Sequence, residues 1–147
     1  MDIIVDIDGT LADCTHRLHH IKSNPKNWKA FFDGMVDDKP IASTVEVVQI
    51  LYGDYNNVIF CTGRPRSHEQ ITRDWLKNNL GNWTGNCMLM MRADKDFRPD
   101  YVVKEEMLSA LKEWKVDPKV AFEDRDQVVD MWRKNGLTCY QVAKGEY

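Results

Sequence analysis

The chain begins Met1-Asp2-Ile3-Ile4-Val5-Asp6-Ile7-Asp8-Gly9-Thr10, and this stretch limits what can be built around it more than any other. Ile3, Ile4 and Val5 are an unbroken β-branched run, the pattern of a strand buried on both faces. Asp6 and Asp8 follow where that run stops, and Gly9-Thr10 turns the chain. If the backbone coils just after Asp6, which Gly9 helps to permit, the two carboxylates converge on one pocket. Two acids in one cleft do not both stay ionised unless a cation lies between them. Such a pair suits phosphoryl chemistry. One carboxylate attacks phosphorus to give an aspartyl-phosphate, the other handles the leaving-group proton, and a divalent metal neutralises both. A strand ending in ordinary turn acids carries the same short pattern, so the rest of the chain decides between them.

With 147 residues, 43% of them hydrophobic and 29% charged, the chain reads as one domain, residues 1–147, able to bury its own core. No stretch approaches the roughly 18–20 apolar residues of a membrane span. Met1 runs straight into the strand, so no signal peptide is expected. Cys14, Cys61, Cys87 and Cys139 show no paired spacing, which points away from zinc or disulfides and toward a reducing, cytoplasmic setting. A net charge of −3 argues against a protein that coats nucleic acid, while leaving local recognition of a nucleic-acid end open.

Strands and helices alternate along the chain. Val58-Ile59-Phe60-Cys61, Cys87 to Met91, Val120-Ala121-Phe122 and Thr138 to Val142 read as further strands. Residues 41–51, 68–80 and 127–135 carry helical spacing, as does the segment that Asp100 can N-cap, with Lys104, Glu105 and Glu106 near its start. This order predicts an α/β, doubly wound, mostly parallel five-stranded sheet with helices on both faces. Ligands of such folds bind at the carboxyl ends of the strands, where Asp6, Asp8, Thr62 and Asp124 all fall. Thr62-Gly63-Arg64, directly after the strand that ends at Cys61, offers a hydroxyl, an amide and a guanidinium as a phosphate cradle, although the same tripeptide alone is more often a plain turn. Between about 12 and 39 a small helical cap insertion is expected after the first strand. It opens on His16, Arg17, His19 and His20, which lack metal-ligand spacing, and continues through Trp28, Phe31 and Phe32. Those rings suit either the core of the cap or stacking on a base, and the core is the commoner use.

Asp6-Ile7-Asp8-Gly9-Thr10-Leu11, Thr62-Gly63-Arg64, Lys104 and Glu123-Asp124 resemble, in order, the four motifs of the haloacid dehalogenase (HAD) superfamily of phosphohydrolases. A closer likeness, to the 3′-phosphatase domain of phage polynucleotide kinase-phosphatase, rests on Arg17, on Asp100 to Glu106, on Asp124 to Arg133 and on the ending Cys139 to Tyr147. No Gly-x-x-x-x-Gly-Lys-Ser/Thr phosphate loop accompanies it, so a kinase half is absent from this sequence. The segment after Arg64 is shorter, and the segment from Ala12 to Lys39 longer, than the likeness leads one to expect.

The resemblance implies a Mg²⁺-dependent phosphomonoesterase. Asp6 would be the nucleophile and Asp8 the general acid and base. Thr62, Gly63 and Lys104 would hold the phosphoryl oxygens, and Arg17 and Arg64 the substrate's phosphate or a neighbouring nucleotide. Mg²⁺ would be bound by Asp6, the backbone carbonyl of Asp8 and Asp124, with Glu123 ranked below Asp124. Asp100 would orient Lys104 or an arginine. The implied substrate is a 3′-phosphorylated nucleic-acid end or nucleotide, with a separate kinase or ligase as a possible partner. A 5′-nucleotidase or small-metabolite phosphatase would use the same chemistry. A phospho-accepting signalling module is disfavoured, because its accepting Asp would follow the third strand, where Arg92 stands. A binding protein with a relic site is separated from these only by assay.

Overall fold

Residues Asp2–Val5 form β1, the middle strand of a five-stranded sheet. The architecture comes from a computed structural model that describes residues 1–145; Glu146 and Tyr147, the end of the C-terminal stretch noted above, lie outside the described residues. Ala12–Asp13 (β2) and Lys39–Pro40 (β3) pair antiparallel as a separate two-stranded ladder. The large sheet adds β4 (Asn57–Pro65), β5 (Met88–Arg92), β6 (Pro118–Glu123) and β7 (Thr138–Gln141). Its order is β5-β4-β1-β6-β7, with every pair parallel. The doubly wound parallel fold expected from the alternation of elements is the fold observed.

The β1 side chains go to both faces. Ile4 joins one core with Met107, Leu108, Val128 and Trp132, while Ile3 and Val5 join another with Val45, Val48, Trp75 and Leu76. Those partners lie on α3 (Ala42–Gly53) and α4 (Glu69–Leu80) on one side, and on α5 (Asp100–Glu113) and α6 (Asp126–Lys134) on the other. Between β2 and β3 the chain forms α1 (His19–Lys22) and α2 (Trp28–Asp33), each flanked by a short 3-10 turn. From β1 the chain builds outward through β4 to β5, then crosses back to β6 and β7. The reversal falls at β1, so the carboxyl ends of β1, β4 and β6 meet at the crevice where ligands of this topology bind.

Two local expectations are corrected. The strand expected to stop at Cys61 is longer: β4 runs on through Thr62-Gly63-Arg64 to Pro65, with a break in register against β5 between Thr62 and Pro65. Asp100 does not cap α5; Pro99 holds the N-cap position, and the Asp100 carboxylate turns instead to Arg92 and Lys104. Among the described residues no helix is long and apolar enough to cross a membrane, and the four cysteines form no disulfide.

Candidate active site

The site begins where β1 stops. The Asp6 amide donates to the Phe122 carbonyl (3.1 Å), continuing the sheet by one bond, and the chain then closes a tight loop in which the Leu11 and Ala12 amides both donate to the Ile7 carbonyl (2.9 Å each). Gly9 has φ +82°, a conformation that side-chain-bearing residues rarely adopt. Asp6 and Asp8 thereby line one cavity of about 740 Å³.

Their electrostatic settings are opposite. Asp6 accepts from Lys104 Nζ (2.6 Å) and Thr10 Oγ1 (3.0 Å). Burial and the neighbouring Glu123 carboxylate nevertheless push its pKa up to about 8. Glu123, 2.8 Å from the same ammonium, is likewise raised by burial, to about 7. Lys104 is itself 0% exposed, and Asp100 Oδ2 stands 3.4 Å from its Nζ. Burial alone would lower the lysine, but the Asp100, Asp6 and Glu123 carboxylates outweigh it and hold Lys104 charged. Asp124 brings a further buried acid, and one carboxylate oxygen from each of Asp6, Glu123 and Asp124 lies within 4.8 Å of the others. One ammonium is too little positive charge for this group. A hard divalent cation that prefers oxygen ligands fits it on charge and on donor chemistry.

Asp8 faces the other way. Arg64 grips it through Nε (3.1 Å to each oxygen) and Nη2 (2.6 Å), and Arg17 Nη2 adds a fourth contact at 2.6 Å. Burial raises the Asp8 carboxyl, yet the two guanidiniums prevail and bring its pKa to about 2. Arg17 and Arg64 were expected at the substrate. They are 1% and 0% exposed and lie behind Asp8, shared with a second acid, Asp38. Asp38 accepts from Arg17 Nε (2.8 Å), Arg17 Nη2 (2.7 Å), Arg64 Nη2 (3.1 Å) and His16 Nε2 (2.8 Å). Nothing in the sequence flags Asp38, one of several acids before β3, because its partners come from elements distant in the chain.

Gly63 is explained by a close approach: a Cβ there would overlap the Asp100 carboxylate. Arg92, also missed in the sequence, braces this corner by donating to the Gly63 carbonyl (2.9 Å) and to Asp100 Oδ1 (3.0 Å). Thr62 is buried, its Oγ1 accepting from the Arg64 amide (3.2 Å). The strand ends thus bring together Asp6, Asp8, Thr62, Gly63, Lys104, Glu123 and Asp124. In the carboxylate cluster, Glu123 stands beside Asp6 and Asp124, whereas the Asp8 carboxylate is turned to the arginines.

A doubly wound sheet with paired acids after its first strand, a buried lysine on them and further acids after β6 defines a phosphoric monoester hydrolase of the HAD superfamily. The family model for the "Polynucleotide kinase PNKP phosphatase domain" matches residues 1–147, and the chain belongs to that family. Over 144 residues it is 26% identical to a protein assigned as a bifunctional polynucleotide kinase/RNA ligase in Autographa californica nuclear polyhedrosis virus, covering 97% of this chain and 19% of that protein. A chain of the Pnkp1/Rnl/Hen1 complex superposes with a TM-score of 0.79 at 26% identity, over 99% of this chain and 47% of that one. The class C acid phosphatase from Bacillus anthracis, with tungstate bound, shares the fold (TM-score 0.72, 12% identity, 99% of this chain and 67% of that one). The chain therefore spans about a fifth of the viral relative and just under half of the matched chain of the complex.

Proposed function

We propose that this chain is a Mg²⁺-dependent phosphatase that works through an aspartyl-phosphate on Asp6 and removes 3′-phosphate from polynucleotide ends or nucleotides. The observation that carries the reading is the contrast between the two acids of one loop: Asp6 among acids and a lysine, Asp8 in the grip of two arginines. Environments that push two carboxyls apart divide the roles of nucleophile and proton handler between them.

In the first step an ionised Asp6 oxygen, freed of the proton that burial favours once a cation offsets the neighbouring acids, attacks phosphorus, the bond from phosphorus to the alcohol oxygen breaks, and Asp8 passes to that oxygen a proton taken from the substrate. Asp8 is ionised in the free enzyme. A substrate entering as the phosphate monoanion, whose last ionisation lies near pH 6, brings the proton it needs. In the second step water attacks the phosphorus of the aspartyl-phosphate, Asp8 takes the water proton, and Asp6 is released with inorganic phosphate. Thr62, the Gly63 amide and Lys104 receive the phosphoryl oxygens, and Asp38 keeps Arg17 and Arg64 aimed at Asp8. Asp6 and Asp124, with Glu123 beside them and the Asp8 carbonyl, would hold Mg²⁺, which would supply positive charge to offset the repulsion between nucleophile and phosphate. The 12–39 segment acts as a cap over these strand ends. The relatives support a polynucleotide end as substrate and a kinase or ligase as working partner.

Phosphate release is measured with and without Mg²⁺ from a 3′-phosphorylated oligonucleotide, from 3′- and 5′-mononucleotides and from a generic aryl phosphate. Preference for the oligonucleotide is expected. Preference for a 5′-mononucleotide overturns the substrate, and Mg²⁺-independent release overturns the metal.

A further inference from the structure

Two exposed aromatic rings line the same cavity as Asp6 and Asp8 without any part in the chemistry: Trp28 on α2 and Phe97 on the loop between β5 and α5. Phe97 is 86% exposed. Its backbone is nevertheless held on both sides, since Arg92 Nη1 donates to the carbonyls of Asp96 (3.1 Å) and Arg98 (2.7 Å). Arg98 is tied in turn to Asp96 (2.7 Å) and Glu106 (2.8 Å), and Asp94 accepts from the Ser67 amide (2.9 Å). A loop fixed at this many points presents its one large apolar side chain outward. Trp28 is backed by Phe32, stacked at 5.8 Å, and by Phe31, edge-on at 5.8 Å, and still leaves 43% of its surface open. All three cap rings line the cavity, but Phe31 is buried in the cap while Trp28 keeps an open surface.

The charge around these rings is cationic although the chain as a whole carries −3. Lys22, Lys26 and Lys95 line the cavity, and none has a carboxylate within ion-pair distance among the described residues; Lys26 Nζ lies 5.5 Å from the Trp28 ring centroid. Planar faces alternating with solvated cations, leading to a phosphate-handling centre, are the features that bind single strands: bases stack on the rings and backbone phosphates meet the lysines. Duplex bases already stack on one another and offer no free face. A mononucleotide cannot use two separate rings.

Resting on the polynucleotide reading above, we infer that Trp28 and Phe97 are specificity-determining residues, a base-stacking subsite that selects an unpaired, single-stranded 3′ end. The test uses the full chain and a fluorescein-labelled single-stranded hexanucleotide ending in a 3′-hydroxyl, titrated by anisotropy so that binding is read without turnover. Trp28→Ala and Phe97→Ala are each expected to weaken binding about tenfold, and Phe97→Tyr to retain it. The ratio of kcat/KM for the 3′-phosphorylated hexanucleotide to that for a 3′-mononucleotide should fall by a similar factor in each alanine variant. Wild-type affinity in both alanine variants overturns the inference, as does equal binding of a blunt duplex or tighter binding of a phosphopeptide. If the wild type releases phosphate from no substrate, the functional reading fails, while the anisotropy series still decides whether the rings bind single strands.

Discussion

Lys104→Met removes, at nearly constant side-chain length, the one ammonium that the described residues place in a buried group of acids. Lys104 Nζ lies 2.6 Å from Asp6, 2.8 Å from Glu123 and 3.4 Å from Asp100, all out of solvent. Taking one partner from a buried ion pair costs about 3–5 kcal/mol, because the other charge is left uncompensated. At about 2–4 °C per kcal/mol for a chain of this size, the melting temperature should fall by about 6–20 °C. Protonation of the orphaned acids favours the lower half of that range near neutral pH. Thermal melts followed by circular dichroism in EDTA give the number, with Lys119→Met as control. Lys119 pairs with Asp117 at 2.5 Å on an open surface, and such pairs contribute about 0–1 kcal/mol. Added Mg²⁺ should recover more stability in Lys104→Met than in the wild type, since it supplies charge at the same carboxylates. A melt of Lys104→Met in EDTA within about 2 °C of wild type would refute the claim that this lysine holds the cluster together.

Asp124→Ala should leave a folded protein that needs more Mg²⁺ for half-maximal phosphate release, with activity partly restored at high Mg²⁺; an unchanged Mg²⁺ dependence would remove Asp124 from the ligand set. Asp6 and Glu123 stand at about 8 and about 7 in the metal-free fold, against 3.8 and 4.5 ordinarily, so the folded state binds more protons than the unfolded chain between those limits. The metal-free protein should therefore lose stability as pH rises from about 4 to about 8, and stabilisation by Mg²⁺ should grow over the same window; melts at stepped pH with EDTA or Mg²⁺ check both signs.

The fold was legible because its strands declare themselves locally. Ile3-Ile4-Val5, Val58 to Cys61 and Val120 to Phe122 are apolar runs that need no knowledge of their neighbours to read as buried strands. The acids at strand ends were legible for the same reason, since the sequence position that stops a strand is also the position that faces the crevice. What escaped depends on contacts across the chain. Asp38 matters through Arg17 and Arg64, 21 and 26 residues away, and Arg92 through the Gly63 carbonyl 29 residues away. Arg17 came from the resemblance and Arg64 from the Thr-Gly-Arg motif, but whether a guanidinium points at solvent or back at Asp8 is set by tertiary packing. The run of β4 through Thr62-Gly63-Arg64 escaped because glycine is a turn signal in isolation, and its true cause, the Asp100 carboxylate pressed against it, comes from another helix.

The most direct test is of Asp6 as nucleophile. The protein is mixed with a 3′-phosphorylated oligonucleotide and Mg²⁺, acid-quenched within a turnover and digested, and the N-terminal peptide is weighed. An 80-dalton-class phosphoryl adduct on Asp6, absent from a folded and inactive Asp6→Asn, is the expected result. Substantial phosphate release by Asp6→Asn, or an adduct on another residue, would contradict it.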